Sequence, residues 1–237
     1  MEEHISSPQT NHLLNSLPPE VYAALLPSLE KISLPLKEVL YDVNAPIPYV
    51  YFPLTGVNSL LTVMQDGTAI EVATVGNEGM VGLPVFLGGD AIPGKAIAQV
   101  PGDVLRMPSD VFRVAVGRYE PLRDILDLYT QALFVLVSQS VACNRVHVIE
   151  QRCARWLLMT LDRVGNNQFS LTQEFLSQML GVRRASVSEV AQELQQEGLI
   201  SYSRGEITVL NRQGLEARSC ECYWIVRREF ERSLGWN

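Results

Sequence analysis

The sequence predicts an α+β protein: a β-rich N-terminal half, one long connecting helix and a helical C-terminal half ending in a winged helix-turn-helix. Three observations carry this. Between Ile32 and Met107, short apolar or alternating runs follow one another, punctuated by proline and glycine. From Pro121 to Asn144, apolar residues repeat at helical spacing. Beyond them, two short amphipathic patterns flank Gly181 and lead into a small β-prone hairpin. The 237 residues allow two modest domains, and 47% hydrophobic residues suffice for full cores.

Taken in order, residues 1–16 are expected to be poorly ordered. The opening MEEHISSPQTNH is acidic and polar and lacks the basic and apolar parts of a secretion signal. No run of about 18 apolar residues occurs; the longest, Ala132–Val137, stops at Ser138-Gln139. A cytoplasmic protein without a membrane span is the expectation. Pro18-Pro19-Glu20 opens a short helix, Glu20–Leu29, since proline is tolerated in a first turn. Val39–Tyr41, Tyr49–Phe52, Val57–Met64, Ala69–Val75 and Ala96–Val100 read as strands, and Asp66-Gly67 as a hairpin turn. Short strands at this spacing predict a sandwich or barrel.

Val111–Val116 reads as a short helix, followed by the long one, Pro121–Asn144. Along it Leu122, Ile125, Tyr129, Ala132, Leu136, Gln139 and Cys143 alternate at spacings of three and four, a heptad seam. A second stripe, Leu126, Leu133, Val137 and Val141, lies beside it. One stripe suits the chain's own core and the other a partner, or a single buried helix uses both. Asn144–Val146 is a candidate hinge. A helix over Val148–Val164 follows, stopped by Gly165-Asn166-Asn167.

In LTQEFLSQMLGVRRASVSEVAQELQQEGLI, residues 171–200, Phe175, Leu176, Met179 and Leu180 precede Gly181, and Val187, Val190, Ala191 and Leu194 follow it. Thr172 stands at the N-cap position. Gly181-Val182 forces the two helices to cross, which is the helix-turn-helix pattern whose second helix enters the DNA major groove. The open face of that helix carries Arg184, Ala185, Ser188, Glu189 and Gln192, the side chains placed to reach base edges. Leu199–Tyr202 and Ile207–Leu210, split by Ser203-Arg204-Gly205-Glu206, form the wing. A last helix, about Arg212–Leu234, has an apolar side with Leu215, Cys222, Trp224, Ile225 and Phe230. Its arginines 218, 227, 228 and 232 are balanced by glutamates 216, 221, 229 and 231 and read as a solvated face.

Charge is unevenly placed. Residues 1–144 hold 7 basic and 15 acidic side chains, whereas residues 145–237 hold 12 arginines, no lysine and 11 acidic side chains. Arginine suits bidentate contacts to guanine and phosphate, but the near-neutral balance predicts weak non-specific DNA affinity. Catalytic arrangements are not found. The histidines, His4, His12 and His147, are scattered, and there is no G-x-S-x-G, P-loop or metal motif, so no enzyme is expected. Cys143, Cys153, Cys220 and Cys222 form no C-x-x-C pair. Cys220-Glu221-Cys222 is expected to put its thiols on different helix faces, and no metal site is expected.

The run at 171–200 with the following SYSRGEITV resembles the Crp/Fnr family of bacterial transcription regulators. Upstream, the tract Val50–Gly56 followed by Gly67 looks like that family's opening strands, and Asn77–Gly82 resembles the start of its phosphate-binding cassette. The resemblance implies a double-stranded β-helix (jelly roll) sensor over residues 1–118, a dimerisation helix over 119–145 and a winged helix-turn-helix over 146–237. It implies that Leu122, Ile125, Tyr129, Ala132 and Leu136 form a parallel dimer interface. Base contacts fall to Arg183, Arg184, Ala185, Ser188 and Glu189, and phosphate contacts to Thr172, Gln173, Ser186 and Arg204. The family's Arg-Glu pair is here Arg184-Ala185, and its later Arg is Glu189, so a different half-site is expected.

The cassette also departs from the cyclic-AMP-responsive members. Leu83 stands where their glutamate holds the ribose, only Lys95 is basic near their Arg-Ser pair, and Val137-Ser138 replaces their adenine-contacting hydroxyls. These four residues mark the candidate ligand pocket, with cyclic AMP not expected in it. No haem signature and no N-terminal iron–sulfur cysteine cluster is present. The expectation is a homodimeric, sequence-specific DNA-binding regulator, with RNA polymerase and an unknown small effector as further partners. The alternative is a ligand-binding module whose winged domain contacts protein.

Overall fold

The computed structural model describes residues 10–236. Two antiparallel sheets face each other in the N-terminal half. One has the order β1 (Glu30–Leu34), β7 (Gly102–Pro108), β3 (Tyr49–Pro53). The other runs β2 (Val39–Tyr41), β6 (Gly94–Val100), β4 (Val57–Val63), β5 (Ala69–Val75). First and last strands of the unit thus pair across the chain, as in a jelly roll. Val50, Phe52, Val104 and Met107 are buried, β3 being covered at consecutive positions, and Tyr51 opposes Arg106 in the ladder. Asp66-Gly67 makes the expected β4–β5 turn, with Gly67 at φ +83°. Strands β1 and β7 were not expected from the pattern; Lys31, Ser33, Asp103 and Arg106 dilute their apolar content.

Poor order was expected over residues 1–16. Residues 1–9 lie outside the described chain, but from Asn11 the backbone is anchored. Asn11 Oδ1 accepts from the Leu14 amide, capping α1 (His12–Asn15). Its Nδ2 donates to the carbonyls of Pro53 (3.0 Å) and Gly79 (2.8 Å), and Leu13 and Leu14 enter the core. Helix α2 (Pro19–Leu25) passes into a 3₁₀ turn over Leu26–Ser28.

Short helices α3 (Leu83–Phe86) and α4 (Ser109–Arg118) lead to α5 (Glu120–Val146) and α6 (Ile149–Val164), so the break falls at His147-Val148. The C-terminal unit has α7 (Gln173–Leu180), α8 (Arg184–Gln196) and a small sheet ordered β8 (Gln168–Ser170), β10 (Glu206–Val209), β9 (Ile200–Ser203). The expected single last helix is two, α9 (Arg212–Arg218) and α10 (Cys222–Leu234), interrupted at Ser219–Glu221.

That interruption overturns the proposed dimer seam. Helix α10 folds back along α5, while β5 contacts another side of it. Leu122, Tyr129, Ala132 and Leu136 are therefore fully buried within the chain, and Ile125 is partly buried. Tyr129 meets Phe230 edge-on at 6.5 Å and donates to the Met80 carbonyl at 2.9 Å. The open side of α5 instead presents Phe134 and Val141, a heptad apart, with Leu128 at its other margin and Phe134 71% exposed. No uninterrupted run of 18 apolar residues occurs in α5, yet by length and composition an 18-residue window of it, with a mean hydropathy of 1.4, is apolar enough to cross a bilayer. The reason is that it carries two apolar stripes. One lines the protein core, which marks it as a core helix with a second usable face.

The two halves share one core. Trp156 of α6 donates its indole N–H to Glu71 of β5 at 2.7 Å, and Glu71 also accepts from Ser59 at 2.7 Å. Arg163 of α6 pairs with Glu78 of the loop after β5 at 2.8 Å. Helix α7 lies against β5, and its Met179 approaches Ser59.

Candidate nucleic-acid interface

Thr172 caps α7 as the sequence implies: its Oγ1 accepts from the Phe175 amide at 3.1 Å. Gly181 takes φ +63° at the end of α7, where a side chain would be strained, and turns the chain into α8. Phe175, Leu176, Met179, Val187, Val190 and Leu194 are buried, so the two helices are fixed by their shared apolar side. The opposite side of α8 is open. Arg183, Arg184, Ala185, Glu189 and Gln192 are exposed, with Ser186 and Ser188 at its margin. Ser188 donates to Gln173 Oε1 at 2.7 Å, tying the recognition helix to the first turn of α7.

The wing closes the surface. Arg204 and Gly205 both have positive φ, +53° and +81°, the backbone of a tight two-residue hairpin turn. Tyr202 holds the wing against the helices: its hydroxyl donates to the Leu171 carbonyl at 2.9 Å and its amide to Gln195 Oε1 at 2.9 Å. Burial pushes the Tyr202 hydroxyl pKa upward. Thr172, Gln173, Arg184, Tyr202, Arg204 and Gly205 line a shallow cleft of about 390 Å³. Of the sequence-predicted contact residues, Thr172, Gln173, Arg184 and Arg204 thus share one cleft, while Arg183, Ala185 and Glu189 are exposed on α8 outside it.

Charge pairing sorts the arginines. Arg163, Arg212, Arg218, Arg227 and Arg232 are each engaged by a carboxylate. The reading of the last helix as an internally balanced face holds for Arg227–Glu231 and Arg232–Glu229, whereas Arg218 pairs with Glu193 and Glu197 of α8, Glu221 with His147, and Arg228 with no described carboxylate. Arg183, Arg184 and Arg204 form no ion pair with any described acidic residue and are exposed, as are Arg118, Arg123, Arg145 and Arg228; the first three stand apart because they belong to the recognition helix and the wing. A surface made of unpaired guanidinium groups, a helix N-terminus and hydroxyls is suited to a polyanion.

Residues 31–119 match the family model of the cyclic nucleotide-binding domain, and residues 151–218 that of the Crp-like helix-turn-helix domain. The chain belongs to the Crp/Fnr family. Solved structures share the architecture. FixK2 from Bradyrhizobium japonicum is 20% identical with a TM-score of 0.69, over 81% of this chain and 98% of that one. A putative transcriptional regulator of the Crp/Fnr family from Eubacterium rectale is 19% identical with a TM-score of 0.66, over 86% and 96%. The c-di-GMP-responsive regulator CLP from Xanthomonas campestris is 13% identical with a TM-score of 0.62, over 80% and 98%. No curated protein matches the sequence.

The Crp/Fnr cassette of this chain is not assembled as a pocket by the expected residues. Leu83 is buried at the start of α3. Lys95 lies 3.4 Å from Asp42, in a cleft that it shares with Phe175 and Met179 of α7. Val137 is partly buried and Ser138 exposed on α5. The loop at Gly79-Met80 is covered by Tyr129, against whose ring a Cβ on Gly79 would collide. The structure therefore does not bring Leu83, Lys95, Val137 and Ser138 together.

One grouping escaped the sequence reading. Cys143, His147, Cys220 and Cys222 converge, with their ligand-type atoms all within 4.8 Å of one another. Cys220 precedes α10 rather than lying in it, so the two thiols of Cys220-Glu221-Cys222 face the same site. The expectation of no metal-type arrangement is thereby corrected. The available signal was Cys143-x-x-x-His147 at a helix end plus Cys220-x-Cys222, four donors whose meeting depends on α10 returning along α5.

Proposed function

We propose that this Crp/Fnr regulator binds a near-palindromic DNA site as a homodimer, inserting α8 of each protomer into the major groove. The observation that carries the reading is the placement of three exposed arginines, Arg183, Arg184 and Arg204, none paired with a described carboxylate, on α8 and the wing beside the start of α7. Arg184 is the guanine-reading fork, worth about 1–3 kcal/mol of discrimination. Ala185 offers a methyl contact to thymine, and Glu189 accepts from a cytosine amino group. Arg183 and Ser188 flank them. Thr172, Gln173, Ser186 and Arg204 hold phosphates and fix the register.

Dimerisation is assigned to the open side of α5, where Phe134 and Val141 await cover. A two-fold dimer would separate its half-sites by one helical turn, about 34 Å. The Tyr129-filled cassette supports a barrel that does not take cyclic AMP, leaving another effector to act on it. RNA polymerase contact and a cytoplasmic setting accompany this role.

The test is selection of bound sequences from random duplex DNA at fixed salt, with wild type and Arg184→Ala in parallel. A two-fold symmetric motif that weakens at one guanine in each half-site is expected. No enrichment, with or without added cell extract, would overturn DNA binding and return the winged domain to a protein-contact role.

A further inference from the structure

We infer that Cys143, His147, Cys220 and Cys222 form a mononuclear, tetrahedral binding site for a thiophilic divalent cation of the zinc type. Cys143 comes from the last turn of α5, His147 from the break between α5 and α6, and Cys220 and Cys222 from the link into α10. Cys143 Sγ and Cys220 Sγ are 3.5 Å apart, and Cys222 Sγ and His147 Nδ1 are also 3.5 Å apart. All four donor atoms fall within 4.8 Å of one another.

These spacings select the coordination. With metal–sulfur bonds of about 2.3 Å and metal–nitrogen bonds of about 2.0 Å, the edges of a tetrahedron come to about 3.8 and about 3.5 Å. A polynuclear iron–sulfur cluster spreads its cysteines farther apart than that. A disulfide requires sulfurs about 2.0 Å apart, so Cys143 and Cys220 are at contact and not bonded.

The surroundings fit a metal as well. The three cysteines are almost fully buried and form a cluster of their own, apart from the main apolar core. His147 turns Nδ1 toward Cys222 and Nε2 toward the Glu221 carboxylate at 3.1 Å, the carboxylate–imidazole arrangement that orients metal-bound histidines. Gln139 donates to Cys222 Sγ at 3.1 Å, as amide donors do to coordinated thiolates. Cys153, by comparison, is buried alone on α6 and has no such partners.

A bound ion would tie the end of α5, the α5–α6 break and the start of α10 at one point. It would set the angle at which the DNA-binding unit leaves the long helix. The site stands on its own geometry, whatever the winged domain binds.

The test uses the full chain, purified under reducing conditions, stripped with chelator and titrated with Co²⁺. One Co²⁺ per chain, with the intense visible bands of tetrahedral thiolate coordination and displacement by Zn²⁺, is expected. Cys222→Ser and His147→Ala should abolish or alter those bands, whereas Cys153→Ser should leave them unchanged, with circular dichroism confirming that each variant is folded. If a ligand variant does not fold, the wild-type titration decides alone. No stoichiometric uptake, an octahedral spectrum, iron with acid-labile sulfide, or loss of binding in Cys153→Ser would each overturn the assignment.

Discussion

The Arg163 guanidinium of the DNA-binding unit and the Glu78 carboxylate of the barrel lie 2.8 Å apart with both side chains 1% exposed. Glu78 is further held by the Gly76 amide, and Arg163 by the Met159 carbonyl and the ring of Trp236. Removing one member of such a pair strands a buried charge. Arg163→Ala and Glu78→Ala are each expected to destabilise the protein by about 3–5 kcal/mol. The double variant should cost less than the sum, because the stranded charge is gone. Denaturant unfolding of the four proteins checks this; additive losses would show that the two side chains act independently.

A second joint between the halves is pH-sensitive. Burial raises the Glu71 carboxyl pKa from 4.5 to about 7, against the opposing hydrogen bonds from Ser59 and Trp156. A carboxyl whose pKa is raised in the folded state favours folding while it stays protonated. The cost of ionising it sets in as pH rises from about 4.5 and is complete above about 7. At full ionisation it is at most about 3 kcal/mol. Between pH 5.5 and 8, the melting temperature of wild type should fall more steeply than that of Glu71→Gln. Parallel curves would remove Glu71 from this role.

The relocation of the dimer face has its own test. Phe134→Glu should shift the protein toward monomer in sedimentation, since a charge replaces an exposed aromatic on α5. Leu136→Ala should instead lower stability by about 2–5 kcal/mol, because Leu136 is buried within the chain. The opposite pattern would reinstate the Leu122–Leu136 seam.

On DNA, the two arginines are expected to differ in kind. Arg184→Ala should relax the base preference at one position. Arg204→Ala should weaken all sequences about equally and reduce the salt slope by about 1. Binding isotherms at several salt concentrations separate the two, and identical behaviour would contradict the division into reading and positioning residues.

The helix-turn-helix was legible because its signals are local: a capping Thr172, a left-handed Gly181 and apolar spacing on either side. The same held for the wing, whose Arg204-Gly205 turn is a dipeptide property. The barrel's inner strands showed through alternation, but β1 and β7 carried too much charge to declare themselves. The seam on α5 failed for a different reason. Helical spacing shows that Leu122, Tyr129 and Leu136 share a face, and it is silent on whether that face meets a partner or the chain's own α10. The Cys143–Cys222 grouping was hidden in the same way, since its members meet only after a tertiary fold-back that brings together Cys143 and Cys220, 77 positions apart.

The apolar core runs without interruption from Val50 and Val75 in the barrel through Leu126 on α5 to Trp156, Met179 and Leu194. Two modules so joined melt as one cooperative unit, not as beads on a linker. Grafting this winged unit onto another barrel would bare Trp156 and Met179 and leave Arg163 without its counter-charge. Exchanging sensor or reader in this chain therefore calls for matched change on both sides of the joint, and perturbing either half alters the energetics of the whole.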